Sequence, residues 1–271
     1  MKKHLSNLML VLVFLAGLSL LLYPTVSDYW NSFHQSYALS SYSDEVAKLD
    51  DNSYQTAWDK ARAYNSSLLL NRNRFYMDEE EKETYNSLLN VSGKGIMGVI
   101  EIPKIKVKLP VYHGTDETVL QVAIGQIEGS SLPVGGMGTH CVVSGHRGLP
   151  RAKLFTNLDQ IALGDKFMLH VLDETLTYEV DQILVVLPDE MDALNIDPLM
   201  DYCTLITCTP YGINTHRLLV RGHRVETEVK RAPVRITSDA SLIDPLAVSA
   251  IIFAPLLILW MIGLLFSTRK R

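Results

Sequence analysis

A cysteine at the end of a predicted β-strand is the first residue whose position suggests chemistry. Residues 202–208 read Tyr-Cys-Thr-Leu-Ile-Thr-Cys and are followed by Thr-Pro-Tyr-Gly. Because side chains alternate between the faces of a strand, Cys208 shares a face with Thr204 and Ile206. Cys203 points to the other face and is interpreted as a core residue. A thiol at a strand end lies where a cleft can form, and its thiolate is a nucleophile, although the pattern alone also fits a packed, unreactive cysteine.

An arginine opens the next predicted strand. The connection of residues 209–215 is short enough to join two antiparallel neighbours, which would place Arg217 across from Cys208. Arginine keeps its charge and offers five donors in a fixed fork. Near a thiol such a cation favours the thiolate, and it can hydrogen-bond the oxygen of a tetrahedral intermediate. An ion pair with a surface carboxylate is the alternative role for Arg217.

A histidine in a glycine-flanked turn could supply proton transfer. Residues 142–148 read Val-Val-Ser-Gly-His-Arg-Gly, so His146 follows the end of a predicted strand and points into a loop. An imidazole with an ordinary pKa near about 6.5 can donate or accept a proton at neutral pH. A structural role is the alternative for His146 when it is considered alone. The other histidines form no zinc-binding spacing with a cysteine or carboxylate, so we predict no metal and no cofactor.

The elements that must position these residues are short β-strands. After Ile96 the chain breaks into short β-type runs separated by proline and glycine, which predicts a mostly β fold, either a barrel or a sandwich. Short helices are predicted at residues 116–122 and 152–158. The predicted strands are residues 98–102, 107–112, 140–144, 166–171, 176–187, 202–208 and 217–225.

Upstream of the strands, the pattern predicts a helical extension. Ala57, Ala61, Tyr64 and Leu68 recur at the spacing of one helix stripe. A second helix is predicted to begin at the acidic run of residues 78–81, where the first residue can act as N-cap and the last completes a capping box. Acidic side chains also suit the positive end of the helix dipole, so this run is interpreted as a solvated helix start.

Two apolar runs predict membrane segments. Residues 245–267 carry no charge, are long enough to span a bilayer and precede a basic C-terminus. Residues 8–23 follow two lysines and could be a signal segment or an uncleaved anchor; the length and the poor cleavage site favour the anchor. The positive-inside rule then places both termini in the cytoplasm and the chain between the two runs outside the membrane.

Composition narrows the classes of function. The 271 residues allow one or two domains. An exported domain with only Cys141, Cys203 and Cys208 has no disulfide framework, so at least one thiol is free or pairs with another chain. The net charge of −5, with basic residues spread through the middle, gives no case for a nucleic-acid partner.

Separate motifs, in the expected chain order, resemble the sortase family. Residues 204–224 (TLITCTPYGINTHRLLVRGHR) resemble the segment in which the sortase motif T-L-x-T-C precedes an arginine on the next strand. Residues 132–155 (LPVGGMGTHCVVSGHRGLPRAKLF) resemble the segment around the catalytic histidine, and residues 110–115 also fit. The resemblance covers roughly residues 98–224. The helical extension and the membrane segments at both ends are similar to the pilin-polymerising class C sortases.

The resemblance implies a closed eight-stranded β-barrel whose catalytic residues are His146, Cys208 and Arg217. Cys208 would attack the Thr–Gly bond of an LPxTG-like sorting signal and form a thioacyl enzyme. His146 would protonate the leaving amine and later deprotonate the incoming one, while Arg217 would hold the substrate carbonyl or stabilise the oxyanion. A pilin lysine would complete an isopeptide bond, so the implied partners are pilins or other surface proteins with such signals, and the membrane.

The patterns described above, together with the resemblance, predict a division of the chain. An N-terminal anchor or signal segment (residues 1–27) precedes the helical extension (28–95) and the catalytic barrel (96–228). A tether (229–244), a C-terminal transmembrane helix (245–267) and a cytoplasmic basic tail (268–271) follow.

Three alternatives stay open on the sequence. A cell-wall peptide amine, rather than a pilin lysine, could complete the reaction of the same enzyme. An exported adhesion or scaffold domain with a packed cysteine would have no activity. A papain-like hydrolase would place its cysteine before its histidine, which is opposite to the order of His146 and Cys208.

One departure from class C sortases concerns the lid. Those enzymes often carry an Asp-Pro-aromatic motif before the barrel. Here the Asp-Pro pairs are Asp197-Pro198 and Asp244-Pro245, each followed by leucine, and neither precedes the barrel. We therefore predict a lidless or differently gated site.

Overall fold

The computed structural model describes residues 2–71, 73–149, 152–227 and 258. Its helices are α1 (Lys2–Val46), α2 (Asp51–Leu68), α3 (Glu79–Ser87) and the short α4 (Glu117–Leu120). Its strands are β1 (Ile96–Ile102), β2 (Val107–His113), β3 (Ile124–Gln126), β4 (Thr139–Ser144), β5 (Lys166–Val171), β6 (Glu174–Val186), β7 (Asp201–Thr209) and β8 (His216–Val225).

The strands close into one barrel, in the order β1-β2-β3-β4-β7-β8-β6-β5. Two neighbouring pairs, β2–β3 and β4–β7, are parallel, and the other pairs are antiparallel. The predicted closed eight-stranded barrel is confirmed. The strand β3 was not predicted, because its 3 residues are too few to display an alternating pattern.

The two faces of the barrel wall bury different clusters. On β7, Cys203 and Leu205 point into the main core, which fills the barrel. Ile206 points to the opposite face, as strand alternation requires. It belongs to a smaller outer cluster with Val142 of β4 and Leu219 of β8. The outer cluster therefore lies on the same face of the sheet as Cys208.

The N-terminal helix combines an apolar stretch with a docked end. From Met9 onward α1 is long and apolar enough to cross a membrane, with a mean hydropathy of 2.3 over 18 residues. It continues through Pro24, and Leu39, Tyr42 and Val46 near its end are buried against β1. The Tyr42 hydroxyl donates to the Met97 carbonyl at 3.0 Å. Apart from residue 258, the predicted tether, second membrane helix and basic tail lie outside the described residues.

The local helix predictions had different outcomes. The capping box is confirmed: the Asp78 side chain accepts from the Glu81 N–H at 2.8 Å, and the Glu81 side chain accepts from the Asp78 N–H at 3.0 Å. The helix predicted at residues 152–158 is wrong, since turns and a 3₁₀ helix at Leu158–Gln160 replace it. Tertiary contacts override helix propensity here, because the Phe155 N–H donates to the His146 carbonyl at 3.2 Å.

Candidate active site

The hairpin of β7 and β8 places two of the predicted site residues opposite each other. The antiparallel register pairs Cys208 directly with Arg217. Directly opposed residues point to the same face, with Cβ atoms about 5 Å apart. The prediction that the short connection makes these strands neighbours, with Arg217 across from Cys208, is confirmed. On the far side of β8, Val186 of β6 is the residue opposite Arg217.

The parallel neighbour β4 brings the third residue to the same level. Ser144 is paired with Ile206, and the Gly145 N–H extends this register by donating to the Ile206 carbonyl at 3.0 Å. The Thr207 hydroxyl donates to the Gly145 carbonyl at 2.7 Å. Continuing this register past the end of β4 brings His146, in the turn that follows, to the level of Cys208.

Gly145 sets the direction in which the chain leaves β4. A Cβ atom at this position would lie 2.4 Å from Ile124 Cδ1 and 2.8 Å from Phe155 Cδ2. Both neighbours are completely buried, so neither can move away cheaply. Only glycine lets β4 run this close to the core, and the turn that carries His146 starts from here.

Arg147 is a part of the site that the sequence analysis missed. Its side chain is only 10% exposed and pairs with the Asp159 carboxylate. It also donates to the Thr209 hydroxyl at 3.2 Å, and its guanidinium carbon lies 5.9 Å from the centre of the Tyr211 ring. These contacts tie the turn after β4 to the chain directly after Cys208. No local pattern signals them, because the partners come from two other segments of the chain.

The three cysteines differ in accessibility. Cys208 is partly exposed, whereas Cys141 and Cys203 are buried side by side on paired strands. Burial, together with the neighbouring Cys141, raises the pKa of the Cys203 thiol well above its ordinary value. Cys208 is therefore the thiol that a substrate can reach, and Cys203 is a core residue.

The guanidinium of Arg217 is held by backbone groups. It donates to the carbonyls of Asn214 and His216, both at 3.2 Å. Among the described residues, no carboxylate lies within ion-pair distance of Arg217. Its charge is therefore not neutralised by a partner and remains available to an oxygen that develops negative charge near Cys208.

Comparison with known proteins agrees with this geometry. The family model described as the sortase domain matches residues 100–225, a range that contains His146, Cys208 and Arg217. The crystal structure of sortase C1 from Streptococcus agalactiae is 49% identical and covers 71% of this chain and 100% of its own, with a TM-score of 0.69. The chain belongs to the sortase family. Sortase C of Streptococcus pneumoniae is 41% identical, covering 70% of this chain and 97% of its own with a TM-score of 0.63.

The match to curated sortases is shorter. Sortase D of Bacillus subtilis is 29% identical over 131 residues, which make up 47% of this chain and 63% of that sortase. The chain thus spans less than two thirds of that relative. The match to that curated sortase covers 47% of this chain, while the similarity to the solved sortase C1 structure extends over 71% of it.

Proposed function

We propose that this sortase is a membrane-anchored cysteine transpeptidase with Cys208 as nucleophile, His146 as general acid and base, and Arg217 as oxyanion donor. The observation that carries the proposal is the arrangement of these residues in one row at one end of the sheet. Cys208 and Arg217 are paired across β7 and β8, and His146 follows the end of β4, the neighbour of β7 on the other side. A nucleophile, a proton-transfer group and a cationic donor within reach of one another are the parts that acyl transfer requires.

In the first half-reaction, Cys208 Sγ attacks the carbonyl carbon of the Thr–Gly bond in an LPxTG-like sorting signal. Arg217 donates to the oxygen that becomes negative in the tetrahedral intermediate. When the intermediate collapses, the C–N bond breaks and His146 gives a proton to the leaving glycine amine. A thioester between Cys208 and the threonine carbonyl remains.

In the second half-reaction, an amine replaces the thiol. The incoming nitrogen attacks the thioester carbonyl, His146 takes its proton, and Cys208 leaves as the thiolate. We propose that this amine is a pilin lysine, so that the product is an isopeptide bond between subunits. Sortase C of S. pneumoniae, which is 41% identical, has been described in terms of pilin substrate specificity. The similarity to S. agalactiae sortase C1 supports the same class.

The proposed location follows from α1. Its apolar stretch would anchor the chain in the cell membrane with the barrel on the extracellular face, and together with the second predicted span it would leave both termini in the cytoplasm. Sorting signals and pilin lysines would then meet the enzyme outside the membrane. A second span at residues 245–267 and the domain limits given above stay predictions.

The test uses the full chain in detergent micelles, incubated with a pilin that carries an LPxTG-type tail. We expect lysine-linked multimers, identified by mass spectrometry of the cross-linked peptides. Cys208→Ala should abolish them. Cys141→Ala is the matched control, because it removes a buried thiol from the barrel and leaves the proposed nucleophile in place.

Other products would change the proposal in defined ways. Cleavage or coupling to peptidoglycan-type amines, without multimers, would replace the pilin acceptor with a cell-wall acceptor. Multimers that persist in Cys208→Ala would remove Cys208 as nucleophile. If the Cys208→Ala chain keeps every surface phenotype of the wild type, a non-enzymatic adhesion or scaffold role replaces catalysis.

A further inference from the structure

The connection between β6 and β7, residues 187–200, borders the proposed catalytic row. Its residue Leu194 is only 6% exposed and packs into the outer cluster with Ile206 and Leu219. Ile206 lies two residues before Cys208, and Leu219 lies two residues after Arg217, so each shares the face of its site residue. The loop therefore flanks the face of the sheet along which a peptide would approach the thiol.

One side chain that holds this loop comes from the helical extension. Arg74 lies in the segment between α2 and α3, far from the loop in sequence, and is only 8% exposed. Its Nη2 donates to the Leu194 carbonyl at 2.9 Å. Its guanidinium also lies over the ring of Phe75, 4.4 Å from the ring centre. A buried arginine directed at a backbone carbonyl suggests a specific structural task, because burying a charge is costly.

The backbone of Arg74 is closely packed against Gly129, just as its side chain is buried. A Cβ atom on Gly129 would lie 2.2 Å from the Arg74 carbonyl oxygen, and Gly129 has a φ of +80°. Glycine is needed there for both reasons. The segment thus rests on the connection between β3 and β4, which fixes the origin of the Arg74 side chain relative to the barrel.

A second side chain bonds to the adjacent carbonyl of the loop. His140 of β4 is 1% exposed, and its Nδ1 lies 2.9 Å from the Asn195 carbonyl. A carbonyl only accepts, so Nδ1 carries the proton and Nε2 accepts from the Thr204 hydroxyl at 2.7 Å. Successive carbonyls of one loop are therefore held by donors from two separate segments.

We propose that Arg74 is a positioning residue for substrate binding, which clamps residues 187–200 into the shape that receives the sorting-signal peptide. Together with His140 it holds the turn at Leu194 and Asn195 against the outer cluster. This proposal rests on the proposed function for the identity of the substrate. It also makes the helical extension part of the binding apparatus, since the extension supplies Arg74.

The test compares three variants of the full chain in detergent. Arg74→Met keeps most of the side-chain length and removes every donor, while Arg74→Lys keeps one charged donor. Arg62→Met is the matched control, an exposed arginine of the same extension. Two experiments are carried out: steady-state kinetics, which gives KM and kcat for cleavage of an LPxTG-type peptide, and amide hydrogen exchange of the loop. The exchange measurement needs no activity. It therefore shows whether Arg74 holds the loop even if the peptide is not cleaved.

We expect Arg74→Met to raise KM about tenfold and to leave kcat within about twofold, because the loop carbonyl loses its buried donor. The amides of Leu194 and Asn195, which bond within the loop, should exchange about tenfold faster or more. Arg74→Lys should recover part of both effects, and Arg62→Met should match the wild type.

Three results would overturn the proposal. The first is loop exchange in Arg74→Met that equals the wild type. The second is a fall in kcat with unchanged KM, which would place Arg74 in the chemical step. The third is faster exchange throughout β4, β7 and β8, since Arg74 would then support general stability rather than the loop. A wild-type chain that fails to cleave any such peptide would count against the proposed function and leave the exchange result to decide the clamp.

Discussion

Two arginines on the same face of β8 have opposite environments. Arg217 lies opposite Cys208, and Arg221, four residues further along the strand, lies opposite Thr204. Arg221 forms two bonds with the Asp181 carboxylate, both at 3.0 Å, and its guanidinium carbon lies 4.1 Å from the centre of the Tyr202 ring. Arg217 bonds only to backbone carbonyls in the described part of the chain.

The difference originates in β6. Its register with β8 shifts between Val180 and Gln182, so Asp181 is the extra residue of a bulge. A bulge changes the direction of its side chain, and here the carboxylate reaches Arg221. At the level of Arg217, β6 presents the apolar Val186 instead. At one end of this sheet face the charge of Arg221 is therefore neutralised by Asp181. At the other end Arg217 keeps a charge that no described residue pairs, beside the partly exposed thiol of Cys208.

Substituting each arginine by lysine tests this contrast most strongly. Arg217→Lys should lower kcat/KM about 100-fold, because a single ammonium cannot replace the forked donor at the oxyanion. Arg221→Lys should stay within about threefold of the wild type, since Arg221 contacts no reacting atom. Steady-state cleavage of a sorting-signal peptide by the full chain measures both. Equal losses in the two variants would show that the paired end takes part in catalysis as well.

The pH dependence of stability tests the end of the sheet face at Arg221, where His140 is buried. We call it the buried end. Burial is the main cause that lowers the pKa of His140 from 6.5 to about 4, and Arg221 and Arg74 act in the same direction against the opposing Asp181. Because the unfolded chain takes up this proton first, the stabilisation is complete above about pH 6.5 and falls as the pH drops towards 4. We expect the loss caused by His140→Gln to be about 2 kcal/mol smaller at pH 5 than at pH 7.5.

Urea unfolding of the wild type and of His140→Gln at the two pH values measures this difference. Comparing the two proteins at each pH removes the contribution of other titrating groups that both share. A difference that does not change with pH would mean that His140 titrates in the folded state near its ordinary pKa, and the buried end would then be less closed than its contacts indicate.

Removing the carboxylate of Asp181 should give the smallest effect. Asp181→Ala leaves Arg221 without its ion pair, and the two side chains are 23% and 22% exposed. Partial exposure moderates the cost, so we expect a loss of about 1–2 kcal/mol in the free energy of unfolding. Asp189→Ala, at an exposed position of the following loop, should change it by less than about 0.5 kcal/mol. If both variants behave alike, the bulge has no stabilising role.

The sequence predicted elements best where the evidence was local. The capping box at Asp78 and Glu81 depends on two residues within one helical turn, and it forms as expected. The predictions failed for β3 and for residues 152–158, because distant partners decide their conformation: the neighbouring strands β2 and β4 for β3, and the His146 carbonyl for Phe155. Arg147, His140 and Arg74 escaped notice for the same reason.

The sequence by itself determined that Cys208 lies near the end of one strand and Arg217 near the start of the next. A short connection joins these strands as an antiparallel hairpin, so their register is a local property of the sequence. The tertiary structure alone decided that β4 lies parallel to β7 and brings His146 level with Cys208. It also decided that a bulge in β6 neutralises Arg221 and not Arg217. Both outcomes depend on contacts between residues far apart in the chain, which closure of the barrel selects and no local pattern encodes.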